Sequence, residues 1–377
     1  MRLNHKHLAL AGLFILGLHV AHATPLPGKT MPAFPQGPVK IEQLAYFPEQ
    51  QITGIAVSRS GRVFVTAPRL SVEVPVSVGE VIDGKIVPYP GAGWNAYRND
   101  GGARNDPKSQ FVSAQAAVMD HRDNLWIVDA ATPNVTGPVQ GGVKLVRIDV
   151  KTNTVAQVVH LDGETTPPGS SINDVRFSPD DRFAYLSDVG GRGGALVVVN
   201  LETGKSWRVL DGHPSTQADP SVELMADGKP LRTPDGRKMN IAVNGVAISP
   251  DGATFYWQAL TGKTLYSLPT AVLQDPARAA KAEPVVVATT HPACGLWIDA
   301  AGRFFMANPA ESSVEVADSV GAPLRTLVKD ERMRWPDSFA QDTSGNLYIS
   351  ANFIQDSPWF KKGVTKTPGA IFKISPR

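Results

Sequence analysis

A six-bladed β-propeller whose two chain ends close the ring is the fold the sequence predicts. Three observations lead there. One strand–turn–strand pattern recurs six times, the composition suits short strands joined by turns, and a strand-like segment is left over at each end. The 377 residues are 42% hydrophobic and 19% charged, with 34 Gly and 31 Pro, which supplies a sizeable core and many turns but few long charged helices. That length suits one large all-β domain.

The chain opens on a signal-peptide pattern. Arg2 and Lys6 precede an apolar stretch from Leu8 to Val20, and Ala21-His22-Ala23 has the small-x-small form of a cleavage site. Residues 1–23 are read as the leader, 24–38 as an N-terminal extension and 39–377 as a single propeller. The apolar run is short for a membrane span, so the mature chain is expected to be exported, periplasmic or secreted, and free of the membrane after cleavage. Removing the leader takes away two positive charges and no negative ones, so the formal charge falls from +2 to zero. No basic stripe is present, which argues against nucleic acid as a partner. Cys294 is the one cysteine, so an internal disulfide is excluded and stability has to come from the core and ring closure.

The six repeats are Thr53-GIAVSRSGRVFVTA, Gln115-AAVMDHRDNLWIVDA, Asn173-DVRFSPDDRFAYLSDV, Asn244-GVAISPDGATFYWQAL, Cys294-GLWIDAAGRFFMANP and Asp337-SFAQDTSGNLYISANF. Each has a small or polar pair, an apolar strand, a turn and a second strand. Ser58, Asp120, Ser178, Ser249, Asp299 and Asp342 align in the turns at spacings of 62, 58, 71, 50 and 43 residues. A strand-built repeat of that irregular period is a propeller signature. Third strands are expected at Val143-KLVRIDV, Ala195-LVVVNL and Thr264-LYSL, and fourth strands in the segments that follow, giving about four strands per blade. Ala370-IFKI is expected as third strand of the last blade and Val39-KIEQLAYF as its outer strand, which covers edges that a linear sheet would expose. A seven-bladed ring with one degenerate blade is the competing count. The polar stretch from Gly212 to Met239 reads instead as a long loop, residues 92–110 as a surface excursion, and Pro269 to Lys281 as the one segment with helical character.

Hairpin geometry locates a candidate site. The first strand of a blade runs along the central channel and the second runs back, so starts of first strands and ends of second strands share a face. The starts are Thr53, Gln115, Asn173, Asn244, Cys294 and Asp337; the ends are Arg69, Asp129, Asp188, Gln258, Asn308 and Asn352. Nearly all are polar, and such a ring at one mouth of a channel suits a small molecule or cation. The competing explanation is turn chemistry, since Asn and Asp at strand ends bond to nearby backbone. Gln115, Asn173, Asp188, Asn244, Asp337 and Asn352, with Trp335 as an aromatic wall, are the candidate ligand-binding residues. Aromatic rings with carboxylates suit cationic amines or catechols. No nucleophile motif or phosphate-binding loop is present. His213 and His291 are the candidate catalytic bases, and Cys294 a candidate thiol.

The segments Gly54-IAVSRSGRVFVTAPR, Phe111-VSAQAAVMDHRDNLWIVDA, Ile172-NDVRFSPDDRFAYLSD, Ala195-LVVVNLETGKSWRVLDGHPS, Gly245-VAISPDGATFYWQALTGKTLYSLPTAVL and Trp335-PDSFAQDTSGNLYISAN resemble the Yellow / major royal jelly protein family, in its bacterial, dopachrome-tautomerase-related branch. That resemblance implies an exported six-bladed propeller. It suggests either binding of a small aromatic or amine-type metabolite at the channel mouth or a dopachrome-type isomerase. Insect members carry disulfides and this chain cannot. The chain is also similar to the gluconolactonase family, which holds a divalent metal with a Glu, two Asn and an Asp at the starts of inner strands. Asn173 and Asn244 match the two Asn positions, while the Glu position falls on Gly54 and the Asp position on Cys294. Calcium or another divalent cation is the cofactor that likeness implies, and lactone hydrolysis the activity. The expected partner is a small-molecule ligand; oligomeric state is not legible.

Overall fold

The computed structural model describes residues 32–70, 73–103, 105–191 and 193–377. Residues 1–23, read above as a leader, and most of the expected N-terminal extension lie outside the described residues. Six four-stranded antiparallel sheets form a ring. The first blade comprises Ile55–Val57, Val63–Thr66, Val78–Ile82 and Lys85–Pro88, and the second Ala114–Met119, Asn124–Asp129, Lys144–Asp149 and Thr154–His160. The third comprises Ile172–Phe177, Phe183–Asp188, Ala195–Asn200 and Ser206–Val209, and the fourth Val243–Ile248, Thr254–Ala259, Thr264–Pro269 and Val285–Thr289. The fifth comprises Leu296–Ile298, Phe304–Asn308, Ser313–Ala317 and Arg325–Lys329. The sixth takes Pro336–Gln341, Leu347–Ala351 and Gly369–Pro376 from the C-terminal end and Val39–Phe47 from the N-terminal end. The ring is therefore six-bladed and closed as the sequence suggests, with Val39 opposite Pro376 and Phe47 opposite Gly369.

The aligned turn residues explain the repeat. In every blade the side-chain oxygen at that position accepts a backbone N–H four or five residues on. Ser58 takes Arg62 N at 3.1 Å, Asp120 takes Asn124 N at 2.8 Å and Ser178 takes Phe183 N at 3.0 Å. Ser249 takes Thr254 N at 2.9 Å, while Asp299 and Asp342 take Arg303 N and Asn346 N at 3.0 Å. Serine and aspartate recur because each closes a tight turn on its own backbone.

These turns lie on one face of the ring, with the 270–284 connection that Thr270 ties to Gly252 O; the connections from second to third strands and from blade to blade lie on the other. Gly212 to Met239 is an irregular connection carrying a two-residue-per-strand hairpin, Met225–Ala226 with Lys229–Pro230. The expected helical segment holds two single-turn helices, Thr270–Leu273 and Pro276–Ala279, broken where Asp275 caps the second by accepting from Ala277 N and Arg278 N. No helix among the described residues is long and apolar enough to cross a membrane. The core lies between adjacent blades, where Trp126, Tyr185 and Phe304 are buried, as their second-strand positions suggest; Tyr256 is partly buried against the same packing.

Inner strands approach one another so closely that some positions admit no side chain. A Cβ on Gly54 would sit 2.6 Å from Ala117 N in the next blade, and one on Gly295 would sit 1.9 Å from Asp337 O. Hydroxyls from second strands tie the blades together at this level. Thr66 Oγ1 accepts from Gly54 N and donates to Gln115 O of the next blade; Ser187 and Ser350 link to Asn244 O and Thr53 O in the same way. The result is a tight ring with a narrow lumen.

Candidate functional site

Four of the six inner strands carry a β-bulge, and each bulge falls on the residue read from the sequence as a lumen group. Pairing with the second strand skips between Ala114 and Ala116, Ile172 and Val175, Val243 and Gly245, and Pro336 and Phe339. The bulged residues are Gln115, Asn173 with Asp174, Asn244, and Asp337 with Ser338. A bulge adds one residue that the ladder does not pair, and so re-aims a side chain. Here it turns these side chains to the channel, where with Ala116, Cys294 and Gly295 they line one small cavity. Free space there is about 10 Å³, room for roughly one water-sized centre.

The electrostatics of this lumen are one-sided. Asp174 has a counter-ion, Arg176 Nη1 at 2.9 Å. Burial pushes the Asp174 carboxyl up and Arg176 draws it back, with the net direction upward. Arg176 also reaches across the channel to donate to Leu296 O at 2.8 Å and lies over the Trp297 ring, so it closes the lumen beneath the cavity. Among the described residues, Asp337 has no cationic partner. Asn352 Nδ2 donates to its Oδ2 at 2.8 Å; burial pushes its carboxyl up to about 7 against the Asn352 bond, and the nearby Asp174 charge adds a smaller upward push. A half-buried carboxyl raised towards neutrality inside a polar cavity makes this lumen the candidate site. Arg176 escaped the sequence reading because it sits in an apolar-looking inner strand, and nothing local distinguishes a lumen arginine from a surface one.

The remaining candidates divide by strand end. Gln115, Asn173, Asn244 and Asp337, all at the starts of inner strands, are brought together. Ends of second strands brace the scaffold instead. Asp188 is fully buried and accepts from Ser170 Oγ, Ser171 N, Gly190 N and Arg208 Nη1. Asp129 does the same for Val112 N, Ser113 N and Ala131 N and pairs with Lys144 at 2.7 Å. Turn chemistry thus describes these positions. Asn352 does both, accepting from Ile354 N and orienting Asp337. Trp335 is buried, with a left-handed backbone (φ 55°). Its Nε1 donates to Cys294 Sγ at 3.0 Å, and its ring packs with Leu224, Ala226, Leu231 and Ile354. It backs the cavity wall from behind Cys294 rather than lining the lumen. Burial and the Asp337 charge hold the Cys294 thiol well above its usual range, so it is a poor nucleophile. His213 bonds Ser215 at 2.9 Å in the loop after the third blade, and His291 pairs with Glu315 at 2.7 Å between the fourth and fifth blades; neither lines the lumen.

The donor set that the gluconolactonase likeness implies is not reproduced. Gly54 has no room for a side chain, Cys294 replaces the second carboxylate with a protonated thiol, and no cluster of three or more His, Cys, Asp or Glu occurs among the described residues. A divalent cation would find one free carboxylate and three amides, short of the charge a hard cation draws on.

Fold and lumen together define a six-bladed, closed-channel propeller with a bulge-built polar mouth. The chain belongs to the major royal jelly protein family, whose match spans residues 112–356, more than half its length. Among curated proteins none matches the sequence. Solved structures share the shape. A calcium-binding protein, regucalcin, from Agrobacterium tumefaciens is 16% identical with a TM-score of 0.52, covering 92% of this chain and 97% of its own. A gluconolactonase from Xanthomonas campestris is 12% identical with a TM-score of 0.52, covering 93% and 98%. A luciferin-regenerating enzyme is 11% identical with a TM-score of 0.53, covering 89% and 95%. At such identities the likeness concerns the fold.

Proposed function

We propose that this propeller is an exported binding protein for a small amine-type metabolite, whose ammonium group sits at the channel mouth against Asp337, with the amides of Gln115, Asn173 and Asn244 orienting it. The observation that carries this reading is the Asp337 carboxyl, which has no cationic partner among the described residues, in a lumen of matching polarity. An ammonium there would supply the missing counter-charge and three donors to a ring of amide and carboxylate acceptors. The cavity takes the ammonium head; an attached ring would lie above it, towards Trp335 and the 212–241 connection, which would have to give way.

Binding of this kind has a definite pH dependence. With Asp337 titrating at about 7, roughly a tenth of the protein carries the charge at pH 6 and roughly nine-tenths at pH 8. Calorimetric titration with 2-phenylethylamine is therefore expected to show about tenfold tighter binding at pH 8 than at pH 6, in the presence of a chelator. Equal affinity at both pH values would remove Asp337 from the site, and binding seen only with added calcium would favour the lactonase-like reading.

One observation favours a second reading. A carboxyl poised near neutral pH is also a suitable proton carrier, since general acid–base groups work best when their pKa is close to the working pH. A dopachrome-type isomerase would use Asp337 in that way. Turnover following a sigmoid near pH 7 and lost in Asp337→Asn would move this reading to first place.

A further inference from the structure

We infer that the protein has a second small-molecule site, independent of the channel, in the groove between the fourth and fifth blades, and that it takes a neutral, largely apolar molecule bearing one hydroxyl donor. The groove encloses about 330 Å³, within the range of ligand pockets and far larger than the lumen cavity. Its floor is Leu265 and Phe304, both buried, and Ala322, Pro323 and Leu324 of the turn after Ser313–Ala317 form one rim. At its polar end sit His291 and Glu315.

The hydrogen-bond inventory of that end selects the ligand. His291 Nδ1 faces Pro292 O at 2.9 Å and Nε2 faces Glu315 Oε2 at 2.7 Å. Both partners are acceptors, so both ring nitrogens carry protons and the imidazole is cationic. Its pKa is raised accordingly: burial opposes the charge, and the bonds to Glu315 and Pro292 outweigh it. The pair is then neutral overall and gives no net attraction to an ion. Every donor of the pair is spent. Glu315 accepts from His291 and from Asn308 Nδ2 at 2.8 Å, which uses two of about four lone-pair positions on its oxygens. What remains is acceptor capacity at the end of an apolar groove. A hydroxyl satisfies it; an ether or a carboxylate, which has no proton to give, does not.

The test compares 4-ethylphenol with 4-ethylanisole, which has nearly the same shape and no donor, by saturation-transfer NMR titration of the whole mature chain. The phenol is expected to bind at least fivefold more tightly than the ether. Ala322→Phe, a rim change that fills the groove without entering the core, is expected to weaken both at least tenfold. Asp337→Asn is expected to change neither. Equal affinity for phenol and ether would overturn the hydrogen-bond assignment, and so would no binding of either. Binding that survives Ala322→Phe, or that is lost in Asp337→Asn, would place the ligand elsewhere and overturn the site.

Discussion

Replacing Asp337 with Asn is expected to stabilise the protein above neutral pH while abolishing amine binding. The folded-state pKa is raised from 3.8 to about 7, so the folded protein holds a proton that the unfolded chain has released. For a carboxyl shifted in this direction no stability is lost below pH 4; it is lost progressively as pH rises from about 4 to about 7, and the loss is complete above that. The shift corresponds to at most about 4 kcal/mol. The amide introduced by Asp337→Asn would be neutral at every pH, and its oxygen would still accept from Asn352 Nδ2. At pH 8 the variant is expected to melt about 3–6 °C higher than the parent, and at pH 4 the two should coincide. A residue kept for packing would show the opposite sign, a loss at both pH values. Stabilisation on removal is the behaviour of a group retained for function at a cost to the fold. Scanning calorimetry of the two proteins at both pH values separates these outcomes.

The second large effect lies in the scaffold that holds the mouth. Lys144 and Asp129 are both fully buried and 2.7 Å apart. Lys144 Nζ also donates to Pro107 O, Gln110 O and Gly142 O, so one ammonium fastens the 92–110 excursion and the loop after the second blade's second strand. Asp129 fastens Val112 and Ser113, immediately before the bulge at Gln115. Lys144→Met leaves a buried carboxylate without its counter-charge and removes the ammonium that Pro107 O, Gln110 O and Gly142 O accept from. That is expected to cost about 3–5 kcal/mol, read as a lower urea midpoint. The double change Asp129→Asn with Lys144→Met should recover part of the loss, because it removes the unpaired charge. A single-variant loss below about 1 kcal/mol would show that the pair is not what anchors this loop.

Much of the fold is legible in the sequence because its determinants are local. Turn residues such as Asp120 and Ser249 bond within four or five positions, so they leave a periodic trace. Ring closure is legible because an unpaired strand at each end has one economical partner, and Val39–Phe47 and Gly369–Pro376 take it. The starts of inner strands are legible as a polar set for a related reason. What is not legible is long-range. Asp188 and Asp337 look alike in sequence, yet Arg208 neutralises the first, and among the described residues no cation reaches the second. The bulges that separate lumen residues from brace residues depend on pairing with the second strand, and Arg176 acts on a carbonyl in the fifth blade. The narrowness of the lumen follows from contacts of Gly54 and Gly295 with neighbouring blades, which no local pattern announces.

The most direct measurement is a carbon-13 NMR titration of the Asp337 carboxyl, assigned by comparison with Asp337→Asn, in the free protein and with saturating 2-phenylethylamine. A midpoint near 7 is expected in the free protein, with a clear downward shift when the amine is bound, since a bound cation favours the charged carboxylate. A midpoint below about 4, the ordinary carboxylate range, in the free protein, or one near 7 that the amine does not move, would contradict that expectation.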